Sequence, residues 1–292
     1  MKKRILLTIL LMVCTLGLLA CSKEKKFEDN PDKTDEGFEL VWHDEFDGET
    51  LDLTKWDYQY GNGGEYGISG WGNNEWQFYL SREENVRVED GNLIITALKE
   101  DNIYTSGRIR TYTNSGEVLF ATTYGRVEAR IKCPVGEGIW PAFWMLPADE
   151  SVYGTWAASG EIDIMEAKGR LPYQFGGAAH YGQAWPNNTY SNQEYIFKKG
   201  TDITDFHVYA IEWEQDEIRW YVDDECYFTL KDWYSKNSKG EPYPEGAPFD
   251  APFYILLNMA IGGNFDPQAN VKNTEFPVEM VVDYVRVYKK ID

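Results

Sequence analysis

The sequence predicts an all-β fold and, within that class, a sandwich of two packed sheets. Short β-rich runs follow one another between turn signals: ELVWHDEF, ENVRVED, NLIITALK, GRIRTYT, YGRVEARIK, GEIDIMEA, FHVYAIEW, EIRWYVDD, FYILLNMAI and MVVDYVRVYK. Nowhere is the apolar period of a helix sustained over three turns. A single open sheet of this many strands would leave too much apolar face uncovered, so a sandwich or barrel must form. From Phe38 onward no repeat and no second linker interrupts the chain, and about 255 residues suit one all-β domain.

Residues 1–20 are set aside as an export signal: Lys2, Lys3 and Arg4 precede an apolar run from Ile5 to Ala20 that is short for a membrane span. The run ends Leu18-Leu19-Ala20-Cys21, which resembles the bacterial lipobox and implies lipidation of Cys21. Residues 21–37 then read as the lipidated cysteine and a charged, Pro-containing tether, and 38–292 as the folded domain. Ser22 is not the Asp that retains some lipoproteins at the inner membrane, so the expected location is the outer membrane. The anchor is the only membrane contact expected.

The formal charge of −20 becomes −23 once the three positives of residues 1–20 leave, which makes nucleic acid and anionic lipid poor partners. A neutral polymer stays compatible. Eleven Trp, 20 Tyr and 14 Phe supply flat apolar faces of the kind that stack on sugar rings, although part of that stock fills a β core. Of four cysteines only Cys133 and Cys226 remain in the domain, and two buried thiols are expected rather than a disulfide. His43, His180 and His207 form no metal-binding spacing. In the last strand the odd positions Val281, Asp283, Val285 and Val287 read as core-facing, so Asp283 needs a partner.

The sharpest chemical signal is Gly160-Glu161-Ile162-Asp163-Ile164-Met165-Glu166-Ala167. In a regular strand Glu161 and Asp163 share a face while Glu166 points into the core. One extra residue, a β-bulge at Ile164 or Met165, returns Glu166 to the face of the other two. The glutamate Cα atoms would then lie roughly 13 Å apart. Side chains leaning inward can bring the carboxyls to the roughly 5–5.5 Å of a retaining glycosidase. Three acids on one face repel and hold a proton on one of them. A solvated acidic edge is the bland alternative. The aromatic stretch Gly138-Ile139-Trp140-Pro141-Ala142-Phe143-Trp144-Met145-Leu146 upstream and Ala179-His180-Tyr181-Gly182 downstream argue against it.

The E-I-D-I-M-E run, with Val41-Trp42-His43-Asp44-Glu45-Phe46, Trp71-Gly72-Asn73-Asn74-Glu75, Tyr124-Gly125-Arg126-Val127-Glu128-Ala129-Arg130 and Leu257-Asn258-Met259-Ala260-Ile261-Gly262-Gly263, resembles glycoside hydrolase family 16. Within that family it is similar to the laminarinase-like bacterial 1,3- and 1,3;1,4-β-glucanases. The resemblance implies a β-jelly roll of two antiparallel sheets with an open concave cleft, and a monomeric endo-acting β-glucanase. It implies Glu161 as nucleophile, Glu166 as acid/base, Asp163 between them and His180 in support. For substrate binding it implies Trp140 and Trp144, which share a face and so line the cleft together or not at all. Asn74 and Arg108 match polar positions that hold sugar hydroxyls, and Trp185 and Asn258 are further candidates on the leaving-group side. No cofactor is expected for catalysis, but many relatives carry a structural calcium, for which Glu45 and Gly91 (main chain) and Asp283 are the matching positions. The rivals are a glucan-binding lipoprotein without chemistry and a hydrolase of galactans. Residues 231–252, rich in Pro, Gly and charge, read as a loop whose place relative to the cleft the sequence leaves open.

Overall fold

The computed structural model describes residues 33–34 and 37–291, so the export signal and Cys21 lie outside the described residues. The described chain runs through β1 (Lys33–Thr34), β2 (Phe38–Asp44), β3 (Asp57–Tyr58), β4 (Gln77–Tyr79), β5 (Val86–Glu89) and β6 (Asn92–Glu100). It continues through β7 (Ile103–Ser106), β8 (Arg108–Arg110), β9 (Gly125–Lys132), β10 (Ile139–Pro147), β11 (Glu161–Glu166) and β12 (Gln174–Gly182). The remainder are β13 (Asn188–Ile196), β14 (His207–Glu214), β15 (Glu217–Val222), β16 (Glu225–Leu230), β17 (Phe253–Ile261) and β18 (Val278–Lys290). Three short 3-10 turns are the only helical pieces among the described residues. The end of the expected tether is not wholly irregular, because β1 pairs with the start of β2.

Two sheets result. The back sheet runs β16-β15-β14-β9-β18-β6-β7-β4, with β2 on β18 and β5 on β6; the front sheet runs β13-β12-β11-β10-β17-β8-β3. Among the strands of the described residues only β4 and β7 pair in parallel. Alternation decides which side chains enter the core between them. In β17, Ile255, Leu257, Met259 and Ile261 pack inward, and Phe143 and Met145 of β10 face them from the same layer. From the back sheet Val127, Ala129 and Ile131 of β9 and Ile211 and Trp213 of β14 close the other side. Each of the larger aliphatic and phenyl side chains among these stabilises the fold by about 1.5–3 kcal/mol relative to exposure.

Two sequence expectations are corrected here. Asp283 does not face the core: β18 carries a register shift between Val282 and Tyr284 opposite β9, and the inward set is Met280, Val282, Val285 and Val287. The irregularity turns Asp283 outward, where Arg130 Nη1 lies 2.7 Å from its Oδ2. Cys133 is buried as expected, but Cys226 is exposed on the edge strand β16; both thiols are free.

Candidate active site

The expected bulge in β11 is present. Opposite β10 the pairs are Ala142 with Glu166, Phe143 with Met165 and Trp144 with Asp163, so Ile164 is supernumerary. Opposite β12, Asp163 pairs with Ala178 and Glu166 with Gly176, so Ile164 and Met165 together oppose Gly177. Ile162, Ile164, Met165 and Ala167 all sink into the core, and their burial holds the kink. The back sheet braces it too. The indole N–H of Trp220 in β15 donates to the carbonyl of Asp163 at 2.8 Å, satisfying a backbone oxygen at the irregularity. Gly177 makes room for that reach, because a methyl there would lie 2.5 Å from Trp220 Cδ1 and 2.7 Å from the Tyr227 hydroxyl oxygen.

Directly paired residues share a face, so register maps the front surface. One row runs Glu194, Gly176, Glu166, Ala142, Asn258, Arg108. The next runs Asn192, Ala178, Asp163, Trp144, Leu256, Arg110, and a third runs Tyr190, His180, Glu161. All three acids therefore emerge on one face. Gly176, Ala178 and Ala142 beside them leave the floor clear for a ligand.

Each carboxyl has its own surroundings. Glu161 Oε2 accepts from the Trp156 indole at 3.0 Å, and its Oε1 lies 3.7 Å from His180 Nε2. Asp163 is buried, with Oδ2 3.3 Å from the same His180 nitrogen. Glu166 Oε1 accepts from the Trp140 indole at 2.8 Å. Burial, followed by the charge of Asp163, pushes Glu161 up to about 8, against the pull of His180, the Trp156 N–H and Arg108. The same two causes, with the charge of Glu161 added, hold Glu166 well above the usual carboxylate range. Burial alone would discharge His180, but Asp163, Glu161 and Glu166 outweigh it and lift the imidazole to about 9. The cluster thus retains protons near neutral pH, with both glutamates held above the usual carboxylate range.

The other expected contacts divide into two kinds. Trp140 and Trp144 both lie on the front face, as their spacing requires. Trp144 donates to Asn258 Oδ1 at 2.7 Å, while Asn258 Nδ2 donates to the Tyr79 hydroxyl at 3.1 Å, so buried Asn258 supports the tryptophan instead of projecting into solvent. Arg108 is likewise buried, its guanidinium lying between the rings of Trp71 (4.4 Å) and Trp144 (4.8 Å) while Nε donates to Gln59. Asn74 is exposed and bonds Asn264 beside Phe265, whose ring stacks on Trp140. Trp185 is exposed, and its backbone N–H donates to the Trp156 carbonyl. Residues 231–252 dock beyond the Glu161 end of the strands: Ser235 bridges to Gly182, and its hydroxyl donates to the Ala158 carbonyl.

Sequence reasoning missed Trp156, Tyr190 and Glu75. Trp156 stands five residues before Glu161, a spacing that could have flagged it. Tyr190 stacks on His180 at 5.4 Å from an exposed strand with no motif to mark it. Glu75, raised by burial, is held by Gln77, Asn73 and Tyr79.

Of the donors expected for calcium, Glu45 and Gly91 would act through main-chain oxygens, but the one side-chain donor, Asp283, faces Arg130 at 2.7 Å, so a guanidinium stands where a cation would need the aspartate. The side-chain ligand atoms that approach one another closely enough to share an ion, among the described residues, belong to Glu161, Asp163 and His180.

Comparison with known proteins agrees with this geometry. The family described as glycosyl hydrolases family 16 matches residues 73–275. A glucan endo-1,3-beta-glucosidase A1 of Niallia circulans is 46% identical over 269 residues, which cover 87% of this chain and 38% of that longer protein. A beta-glucanase of Rhodothermus marinus is 42% identical over 262 residues, covering 87% of this chain and 86% of the relative. The laminarinase catalytic domain from Thermotoga maritima superposes with a TM-score of 0.73 at 36% identity, covering 88% of this chain and 100% of that one. Two packed β-sheets, three acids on one open face and these relatives together identify a glycoside hydrolase that belongs to glycosyl hydrolase family 16, among its laminarinase-like enzymes.

Proposed function

We propose that the protein is a retaining endo-β-glucanase that hydrolyses β-1,3-glucan and/or mixed-linkage β-1,3;1,4-glucan by double displacement. The observation that carries this reading is the bulge at Ile164–Met165, which brings Glu166 onto the face of Glu161 and Asp163. In the first step a Glu161 oxygen attacks the anomeric carbon as the glycosidic C–O bond breaks, and the Glu166 proton passes to the departing oxygen. In the second, Glu166 takes a proton from water, whose oxygen attacks the same carbon and releases Glu161. Asp163 raises the proton affinity of Glu166 and, with Trp156 and His180, orients Glu161. Trp140 and Trp144 offer faces for the glycone units. Carboxyls and water suffice, and no cofactor enters either step.

The names of the relatives favour β-1,3-glucan as a substrate. Product analysis on laminarin, barley β-glucan and agarose tests the reading: oligosaccharides of several lengths from one or both glucans are expected, and release from agarose alone would overturn it. Folded Glu161→Ala and Glu166→Ala proteins that hydrolyse at the unaltered rate would remove the assignment. The N-terminal part of the proposal is a monomer held at the outer membrane by lipid on Cys21; a Cys21→Ala chain should lose fatty-acid labelling and leave the membrane fraction.

A further inference from the structure

Trp144 does not hold its own orientation. Its indole N–H can only donate, so Asn258 must offer it the amide oxygen, which lies at 2.7 Å. That choice turns the Asn258 amide NH2 toward Tyr79, whose hydroxyl oxygen accepts at 3.1 Å. With its oxygen engaged, Tyr79 still has a proton to give, and its hydroxyl donates to Glu75 Oε2 at 3.4 Å. Every link thus runs one way, from the tryptophan through Asn258 and Tyr79 to a carboxylate, which when ionised only accepts. Tyr79 and Asn258 are both buried, so neither can turn to solvent for another partner.

Glu75 is itself tied down from several sides. Gln77 Nε2 donates to the same Oε2 at 2.7 Å, and Asn73 Nδ2 donates to Oε1 at 3.3 Å. Gln77 Oε1 also accepts the backbone N–H of Ile261 at 2.7 Å, and the backbone of Glu75 bridges to Gly262, so the carboxylate is fixed to the end of β17. Its stem closes on Gly263, where a methyl would lie 3.3 Å from both Glu75 Cγ and Trp140 Cζ3. One side chain is thereby linked to both front-face tryptophans, to Trp140 across a glycine and to Trp144 through a relay. The two chemical steps leave this carboxyl unused.

We propose that Glu75 is a positioning residue for the glycone half of the cleft: as terminal acceptor of the relay it fixes the amide of Asn258 and, through it, the ring plane of Trp144. The inference rests on the functional reading above, which gives the face of Trp144 to glycone units. Without that acceptor the Tyr79 proton is free to turn toward Asn258, where two donors then face each other. Turning the amide over relieves the conflict but withdraws the oxygen from Trp144. The ring then loses its fixed plane beside Arg108, whose guanidinium lies 4.8 Å from it. Glu161 and Glu166 stay in place, so the cost falls on KM and not on kcat.

The test reads Trp144 directly. Hydrogen exchange of its indole N–H is followed by NMR, with the resonance assigned through Trp144→Phe, beside KM and kcat on a β-1,3-linked glucose hexasaccharide. The proteins compared are the unaltered one, Glu75→Ala, Glu75→Gln, Tyr79→Phe and the double variant Tyr79→Phe with Glu75→Ala. Glu75→Ala should speed the exchange about tenfold and raise KM about fivefold, with kcat within about twofold. The Trp156 indole, which donates to Glu161, should exchange as before. Glu75→Gln, whose amide oxygen still accepts from Tyr79, should restore both readings. Tyr79→Phe should match Glu75→Ala, and the double variant should go no further, because both changes break one chain. Should Glu75→Ala not fold, Glu75→Asp, whose shorter stem withdraws the oxygen, is measured in its place with the same expectation. Unchanged exchange and KM would overturn the proposal, as would effects of Glu75→Ala and Tyr79→Phe that multiply in the double variant. A fall in kcat with KM unaltered would also overturn it, by placing Glu75 at the reacting bond. If the unaltered protein cleaves no β-1,3-glucan while exchange at Trp144 still answers to Glu75, the functional reading falls and the relay stands.

Discussion

The two outer faces of the sandwich both carry acids in rows, and they treat them in opposite ways. On the back sheet, buried Glu128 lies 2.7 Å from Arg126, and buried Glu212 is held by Arg126 at 3.2 Å and Arg219 at 2.8 Å. On the front sheet, Glu161, Asp163 and Glu166 stand together with no guanidinium at ion-pair distance among the described residues, and His180 lies close to Glu161 and Asp163. Both sheets also bend a strand at an acid. In β18 the irregularity sends Asp283 to Arg130, whereas in β11 it gathers a third carboxyl beside two others. A charge left uncompensated in a dry place is expensive unless it holds a proton, so the front row stores acidity where the back row stores only structure.

Removing the stored groups should have the largest effect. Glu161→Ala should lower kcat on soluble glucan by about 10⁴-fold or more, and Glu166→Ala by about 10²–10⁴-fold, with thermal unfolding preserved. Breaking the back row should do the converse. Arg126→Ala leaves Glu128 and Glu212 short of a partner and should cost about 3–5 kcal/mol in urea unfolding while kcat/KM stays near that of the unaltered protein. A comparable drop in activity would mean that the two faces are not separable.

A smaller perturbation addresses the bulge directly. Gly177→Ala pushes a methyl toward Trp220 and should cost about 1–3 kcal/mol by overpacking, with a disproportionate fall in kcat as Glu166 shifts relative to Glu161. Loss of stability without loss of kcat in the folded fraction would count against that link. The subtlest expected change is in the pH profile. The charge of Asp163 raises both glutamates, so Asp163→Asn should let each ionise at lower pH. Glu161 then becomes an anion earlier and Glu166 loses its acid form earlier, which moves both limbs of the kcat/KM profile toward acid. A profile that moved toward alkali would invert the assigned electrostatics.

The class of fold and the position of the acids were legible because alternation is a local property of the chain. The E-x-D-x-x-E spacing forces either a bulge or a buried carboxylate, and physics disfavours the second. Less legible were β12 and β13, whose residues lack a strong β pattern. Gly176, Gly177 and Ala178 serve packing across the sandwich and a clear floor, neither of which leaves a mark in a propensity scale. Asp283 was misassigned because a bulge shifts the register of β18, and the long-range partner that stabilises it, Arg130, is distant in sequence. Arg108 and Asn258 were expected as polar substrate contacts, but that they are sandwiched and capped by Trp71, Trp144 and Tyr79 depends on residues 59–80 folding over the front sheet.

The central claim is that the kinked β11 presents a nucleophile and a proton donor on one face of the sheet, so that they flank a single glycosidic bond. Proton NMR of the first-formed reducing ends, recorded before mutarotation during hydrolysis of a β-glucan oligosaccharide, tests it most directly. The account predicts that the β-anomer appears first and the α-anomer only later. Initial release of the α-anomer would mean that water attacks directly across a wider gap, and would contradict it.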